Sequence, residues 1–242
     1  MPAIDSSVAA AHVVHARPSV VLAPTVAVCG LHGGAGASTV ALMLAHAQGS
    51  PTLLCDVGGP TSSFWEHAPG VISLADAAAE IGRTGALSAP LFIQAPDGVS
   101  VVSAPPSPLP AADVSQGMSL ILQQAAGRHE LVVCDCGTLT HPAQVTALTL
   151  CDRVVWVVDL SVASVARATA SLLAAPADAP VRQYIAARGV TGRASRRELS
   201  DLAAALNAPV ALIEAITSRN DLDDAIEQAG IGFDHLFSEI RR

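Results

Sequence analysis

One stretch constrains the fold more than any other. An apolar run from Thr25 to Gly30 enters a glycine-dense turn, Gly30-Leu31-His32-Gly33-Gly34-Ala35-Gly36-Ala37-Ser38-Thr39, and leaves as an apolar helical run from Val40 to Ala47. A strand, a glycine turn and a helix in that order aim backbone N–H groups at the helix start, whose positive end favours an anion. Glycines let the backbone come close to a phosphate. The order therefore fits a nucleotide; the plainer alternative is a tight strand-to-helix turn that binds nothing.

The rest of the chain repeats the strand and helix theme. Strand-like apolar runs are expected at Thr25 to Gly30, Thr52 to Asp56, Leu131 to Asp135, Arg153 to Asp159, Val181 to Ala187 and Val210 to Ile213. Runs that are apolar on both sides point to a buried, mostly parallel sheet, with helices on both faces, hence an α/β fold. Between them, Val114, Met118, Ile121, Leu122 and Ala125 mark one helix face ended by Gly127, and Leu199, Leu202, Ala203 and Leu206 mark another. Leu91 to Ala104 reads as a hairpin-like insertion around Pro96, Asp97 and Gly98, followed by a Pro-rich connection from Pro105 to Pro110. Residues 1–23 show no period and read as a flexible tail; residues 24–232 form the domain, and 233–242 an amphipathic helix end.

Composition removes several function classes. The 242 residues carry 13 basic and 21 acidic side chains, for a net charge of −8. All the basic residues are arginine, so any mechanism that needs a lysine is excluded. No apolar run is long enough to span a membrane, and nothing at the start resembles a secretory signal, so a cytoplasmic location is expected. Five cysteines, Cys29, Cys55, Cys134, Cys136 and Cys151, make no CxxC pair and sit in apolar runs, which reads as buried reduced thiols. Cys134 and Cys136 share a strand face, but two ligands do not make a metal site.

Two nucleotide folds compete for the loop. Gly30, Gly33 and Gly36 also fit a dinucleotide pattern, with Asp56 placed 20 residues on from Gly36 at a strand end, as in Rossmann domains. A short-chain dehydrogenase would want Tyr-x-x-x-Lys, whereas the single tyrosine, Tyr184, has Arg188 in the lysine position. The P-loop alternative also accounts for Ser38 and Thr39 opening the helix and for the apolar strand running into Asp135.

His32 to Thr39, HGGAGAST, resembles the deviant Walker A loop KGGxGKST of the MinD/ParA family of dimeric P-loop ATPases. TLLCDVGGP at 52–60 resembles that family's switch I segment, ELVVCDCG at 130–137 its Walker B and switch II segment, and Asp221 to Gly230 its closing helix. The resemblance implies a nucleotide site made of Gly33, Gly34, Ala35, Gly36, Ala37, Ser38, Thr39, Asp56, Asp135 and Arg188, with Ser38 and Asp135 toward Mg²⁺. It implies Mg-ATP or Mg-ADP as cofactor and two subunits sandwiching two nucleotides.

The departures from that pattern bear directly on activity. The cross-dimer lysine position holds His32, and the lysine that neutralises the β and γ phosphates is replaced by Ala37. The second switch I carboxylate falls on Gly58, and the family's base-binding asparagine and arginine correspond to Ala187 and Arg188. A protonated His32 is one substitute for the crossing lysine, and an arginine reaching in from a loop at Gly192 to Arg197 is another. The expectation is a pseudo-ATPase with weak nucleotide binding, or none, that positions protein partners in a partition, pilus, secretion or conjugation system. A nucleotide-dependent dimeric switch with partner-assisted hydrolysis is the alternative.

Partners are read from the surface. Net negative charge argues against DNA, since phosphate contacts dominate that affinity; Arg193, Arg196 and Arg197 are followed at once by Glu198 and Asp201 and read as a solvated helix start. Phe233, Leu236, Phe237 and Ile240 recur at i, i+3, i+4 and i+7, a face for packing or for a protein partner, with weak membrane attachment as the alternative. Phe64 and Trp65 are a candidate partner contact or a buried pair.

Overall fold

The computed structural model describes residues 22–48, 51–57, 74–86, 93–94, 99–103, 111–160, 170, 172, 180, 182–190, 192–214 and 222–242. Residues 1–21, Gly58, Phe64, Trp65 and Pro105 to Pro110 lie outside them. Among the described residues eight strands form one sheet: β1 (Thr25–Gly30), β2 (Thr52–Asp56), β3 (Ile93–Gln94), β4 (Val99–Ser103), β5 (Leu131–Asp135), β6 (Arg153–Asp159), β7 (Arg182–Arg188) and β8 (Val210–Leu212). Their spatial order is β3-β4-β2-β5-β1-β6-β7-β8. Seven run parallel, and only β3 is antiparallel, against β4.

Burial on both faces explains the unbroken apolar strands. Every residue of β1, β2, β5 and β6 is buried, so each side chain, on either side of the pleat, meets a helix layer. One face packs Ala27, Cys29, Leu53, Cys55, Val132, Cys134, Val154 and Trp156 against α2 (Leu74–Thr84), α3 (Ala111–Ala126), α4 (Pro142–Leu150) and α5 (Gly192–Leu206). The other packs Val26, Val28, Leu54, Val133, Val155 and Val157 against α1 (Ala37–Gln48) and α6 (Leu222–Arg241). Small residues let these layers close: a Cβ on Gly117 of α3 would collide with Ala78 of α2.

The strand order decides between the two nucleotide folds. In a Rossmann sheet β1 and β2 are neighbours; here β5 lies between them, hydrogen-bonded to both. That insertion is the P-loop arrangement, and the dinucleotide alternative is overturned. The expected hairpin insertion is also corrected: β3 and β4 do form an antiparallel pair, but β4 continues the main sheet as the parallel neighbour of β2. Buried Val99, Val101 and Val102 give β4 two apolar faces, which an exposed insertion would not need.

At the other end, α6 is broken by Gly230 (φ 70, ψ −168) and resumes through the C-terminal stripe. Phe233, Leu236 and Ile240 are 1%, 2% and 0% exposed, and Phe237 packs beside them. This face belongs to the core, so it has no free apolar side to lay on a membrane, and the expected membrane alternative is corrected. Among the described residues no helix is long and apolar enough to cross a membrane. Residues Gly192 to Arg197 are likewise not a loop but the opening of α5, with Arg193, Arg196 and Arg197 exposed.

Candidate functional site

Sheet alternation and register gather the polar residues at one edge. Residues 131, 133 and 135 of β5 point toward α1, as do 54 and 56 of β2, 155, 157 and 159 of β6, and 186 and 188 of β7. Asp56 is in register with Asp135, and Asp159 with Arg188. Three aspartates and one arginine thus stand at the carboxyl ends of four parallel strands, on the face that carries the glycine loop. The chain crosses from β5 over β1 to β6 at this point, which is where α/β sheets open a ligand crevice.

The loop is tied to the sheet on both sides. Gly30 N–H donates to Gly137 O (2.6 Å) and Leu31 N–H to Val157 O (2.9 Å), while Ala35 and Ala37 are buried beneath the turn. Ala35 N–H returns to His32 O, and Val40 N–H to Gly36 O closes the first turn of α1. The N–H groups of Ala37, Ser38 and Thr39 therefore have no carbonyl one turn before them. Gly34 (φ 77) and Gly36 (φ 96) hold left-handed conformations that side chains resist. A Cβ on Gly33 or Gly34 would meet nothing within 4 Å, so the tip of the loop faces open space. Residues 33 to 39 thus lie together in one turn at the start of α1, with backbone N–H groups at the helix N-terminus.

On the β5 side, the Ser38 hydroxyl donates to the Asp135 carboxylate, as does Gly137 N–H at 3.1 Å. Burial, with 3% of Asp135 exposed, outweighs these donors and raises its pKa above the ordinary carboxylate value. Asp56 is buried beside it. Ser38 and Asp135, the two residues expected toward Mg²⁺, stand next to each other at the loop. Among the described residues no group of three or more His, Cys, Asp or Glu could hold a metal by itself. Any Mg²⁺ here would depend on the phosphates it accompanies.

On the β6 and β7 side, Arg188 Nη2 donates to Asp159 Oδ2 at 2.8 Å, and the guanidinium lies against Gly36. His32 does not reach outward as a crossing lysine would. Its Nδ1 lies 2.9 Å from Gly33 O, and its Nε2 3.2 Å from both Asp159 N and Asp159 O. A ring with N–H at Nδ1 donates to Gly33 O and accepts from Asp159 N–H, so the imidazole is spent inside its own chain; this corrects the expectation of a lysine substitute. Asp159 itself was not among the residues singled out by motif. Its signal was nonetheless in the sequence, since β2, β5 and β6 all end in aspartate.

The five cysteines are free and buried, and all lie on the opposite face of the sheet from the loop. Cys55, Cys134 and Cys151 hydrogen-bond in series, and Cys136 pairs with Cys29. These contacts, with burial, push Cys55, Cys136 and Cys151 up, whereas the two thiols donating to Cys134 hold it down.

The fold is a P-loop NTPase architecture, with a seven-stranded parallel sheet and the glycine loop after its central strand. Among solved structures, the chain is similar to a ParA family ATPase from Chlorobium tepidum TLS (16% identity, TM-score 0.66, covering 91% of this chain and 96% of that one). It is similar to cobyrinic acid a,c-diamide synthase from Mycobacterium smegmatis with bound ADP and magnesium (16%, 0.62, 90% and 93%). It is also similar to a chain of the MinC:MinD cell division protein complex of Aquifex aeolicus (15%, 0.61, 90% and 93%). The fold is therefore that of the ParA/MinD P-loop ATPases. No protein-family profile and no curated protein matches the sequence.

Proposed function

We propose that this chain is a ParA/MinD-like protein without effective ATP turnover: a weak Mg-nucleotide binder, or a pure pseudo-enzyme, that positions protein partners in a partition, pilus, secretion or conjugation type system. The observation that carries this is the absence of both phosphate lysines, with buried Ala37 at one position and His32 bonded to Gly33 and Asp159 at the other. Phosphoryl transfer depends on electrostatic positioning, and removing one such donor costs on the order of 3 kcal/mol in the transition state. Two buried carboxylates beside the loop, Asp56 and Asp135, add negative charge where a lysine would offset it. The donor cradle, Ser38 and Asp135 support Mg-ADP or Mg-ATP as ligand, and the neighbour that holds ADP and magnesium supports the same choice. Five unpaired thiols suit a cytoplasmic setting. The test is steady-state hydrolysis by the pure protein: no turnover above background is expected, and normal turnover abolished by Asp135→Ala would overturn the proposal.

A second reading, the nucleotide-dependent dimeric switch, is favoured by Ser38 and Asp135 standing together at the loop, where a Mg-nucleotide would meet both. Gel filtration with and without Mg-ATP separates the two. A nucleotide-induced shift to a dimer supports the switch, and an oligomeric state indifferent to nucleotide supports the scaffold.

A further inference from the structure

We infer that Arg188 is the phosphate-binding cation of the glycine loop, taking over the charge that the two missing lysines would have supplied, with Asp159 as its positioning partner; this rests on the loop binding a nucleotide. The guanidinium comes from the end of β7, two strands away from β1, but packs directly on the loop. A Cβ added to Gly36 would lie 3.1 Å from Nη1, 3.2 Å from Cζ and 3.6 Å from Nε. Gly36 thus serves two constraints at once, its left-handed φ of 96° and the flat approach of an arginine.

The donors of Arg188 are unevenly used. Nη2 is taken by Asp159 Oδ2 at 2.8 Å, while Nε is buried with no partner. Nη1 is the nitrogen nearest Gly36. The side chain as a whole is 20% exposed, so the guanidinium is not sealed off, and an oxyanion is the acceptor that pairs with it best. Asp159 fixes the plane of the guanidinium, and its own backbone N–H is fixed by His32 Nε2, so loop, β6 and β7 lock one another. A lysine at position 37 would address the anion from within the loop; this arginine addresses it from the flank, at Gly36. The ligand class is a diphosphate-bearing molecule whose phosphates lie at Gly36, held by charge rather than by base recognition.

The experiment separates phosphate from base. Binding of Mg-pyrophosphate, Mg-ADP and adenosine is measured by calorimetry for the wild type, Arg188→Gln, Arg188→Lys and Asp159→Asn, with thermal melts for each. The expected result is wild-type binding of pyrophosphate and ADP, a loss of about tenfold or more for both in Arg188→Gln, partial recovery in Arg188→Lys, and a smaller loss for both in Asp159→Asn, where a neutral amide oxygen still accepts from the guanidinium but holds it less firmly. Pyrophosphate affinity within about twofold of wild type in Arg188→Gln overturns the inference while leaving nucleotide binding intact. So does a loss confined to ADP, which would assign Arg188 to the base. Wild-type protein that takes up neither phosphate ligand overturns the nucleotide reading and this inference together. Should Arg188→Gln melt early, the Arg188→Lys and Asp159→Asn pair decides: pyrophosphate lost by the charge-preserving lysine variant at wild-type stability counts against a role in charge.

Discussion

Truncation of Phe233 to alanine tests whether the C-terminal stripe is core or a detachable amphipathic helix. Phe233 is 1% exposed, and its ring stacks on Phe237 at a centroid distance of 6.4 Å and an interplanar angle of 8°. An aromatic side chain buries about 150–250 Å², which at about 25 cal/mol per Å² amounts to about 4–6 kcal/mol for the whole side chain. Alanine keeps the Cβ but leaves a cavity, and core Phe→Ala changes cost about 3–5 kcal/mol. For a chain of this size that lowers Tm by roughly 6–20 °C. The matched control is Ile231→Ala, on the same helix but 87% exposed, with an expected change within about 0.5 kcal/mol. Guanidinium unfolding at an unchanged m-value reads both. A loss below about 1 kcal/mol in Phe233→Ala, no different from Ile231→Ala, would refute the packing argument and return this face to a role on a membrane or a partner.

Two further outcomes follow from burial. Asp135 has a folded-state pKa above its unfolded value, so the native state binds the extra proton; the stabilisation is complete below the unfolded pKa and is lost as pH rises through the folded one. Asp135→Asn, isosteric and uncharged, is therefore expected to be more stable than the wild type at neutral pH, with the gain shrinking as pH falls toward about 4; a Tm difference independent of pH would contradict this. All five cysteines are buried and unpaired, so none should react with a thiol reagent in the native protein within the time in which all five react after denaturation. Fast native labelling of Cys134, the one whose neighbours favour its thiolate, would mean that the sheet opens far more readily than its packing implies.

Much of the fold was legible because strands buried on both faces must be apolar throughout. Thr25–Gly30, Thr52–Asp56, Leu131–Asp135 and Arg153–Asp159 form where their runs predict, and β7 lies one residue later than expected. The antiparallel pairing of β3 with β4 was legible from two short apolar runs around turn residues, but the membership of β4 in the main sheet was not. Pairing of β4 with β2 is a long-range choice that no local period encodes. The stripe Phe233, Leu236, Phe237 and Ile240 had the same ambiguity, since an amphipathic period is identical whether the apolar side meets a sheet or a lipid.

For the site, sequence by itself determined the chemistry available: a glycine turn of backbone donors, a serine and aspartates, and no lysine anywhere in the chain. Residue identity and local geometry suffice for that, because a left-handed turn before a helix can be built from glycines alone. Which side chains face one another was decided by the tertiary structure. Strand register placed Asp56 beside Asp135 and Asp159 beside Arg188, and the sheet order carried that arginine across to Gly36. Hydrogen bonding to the end of β6 turned His32 inward, away from any partner subunit. The physical reason is that these contacts join residues from 29 to about 150 positions apart, brought together by sheet pairing that local sequence does not specify.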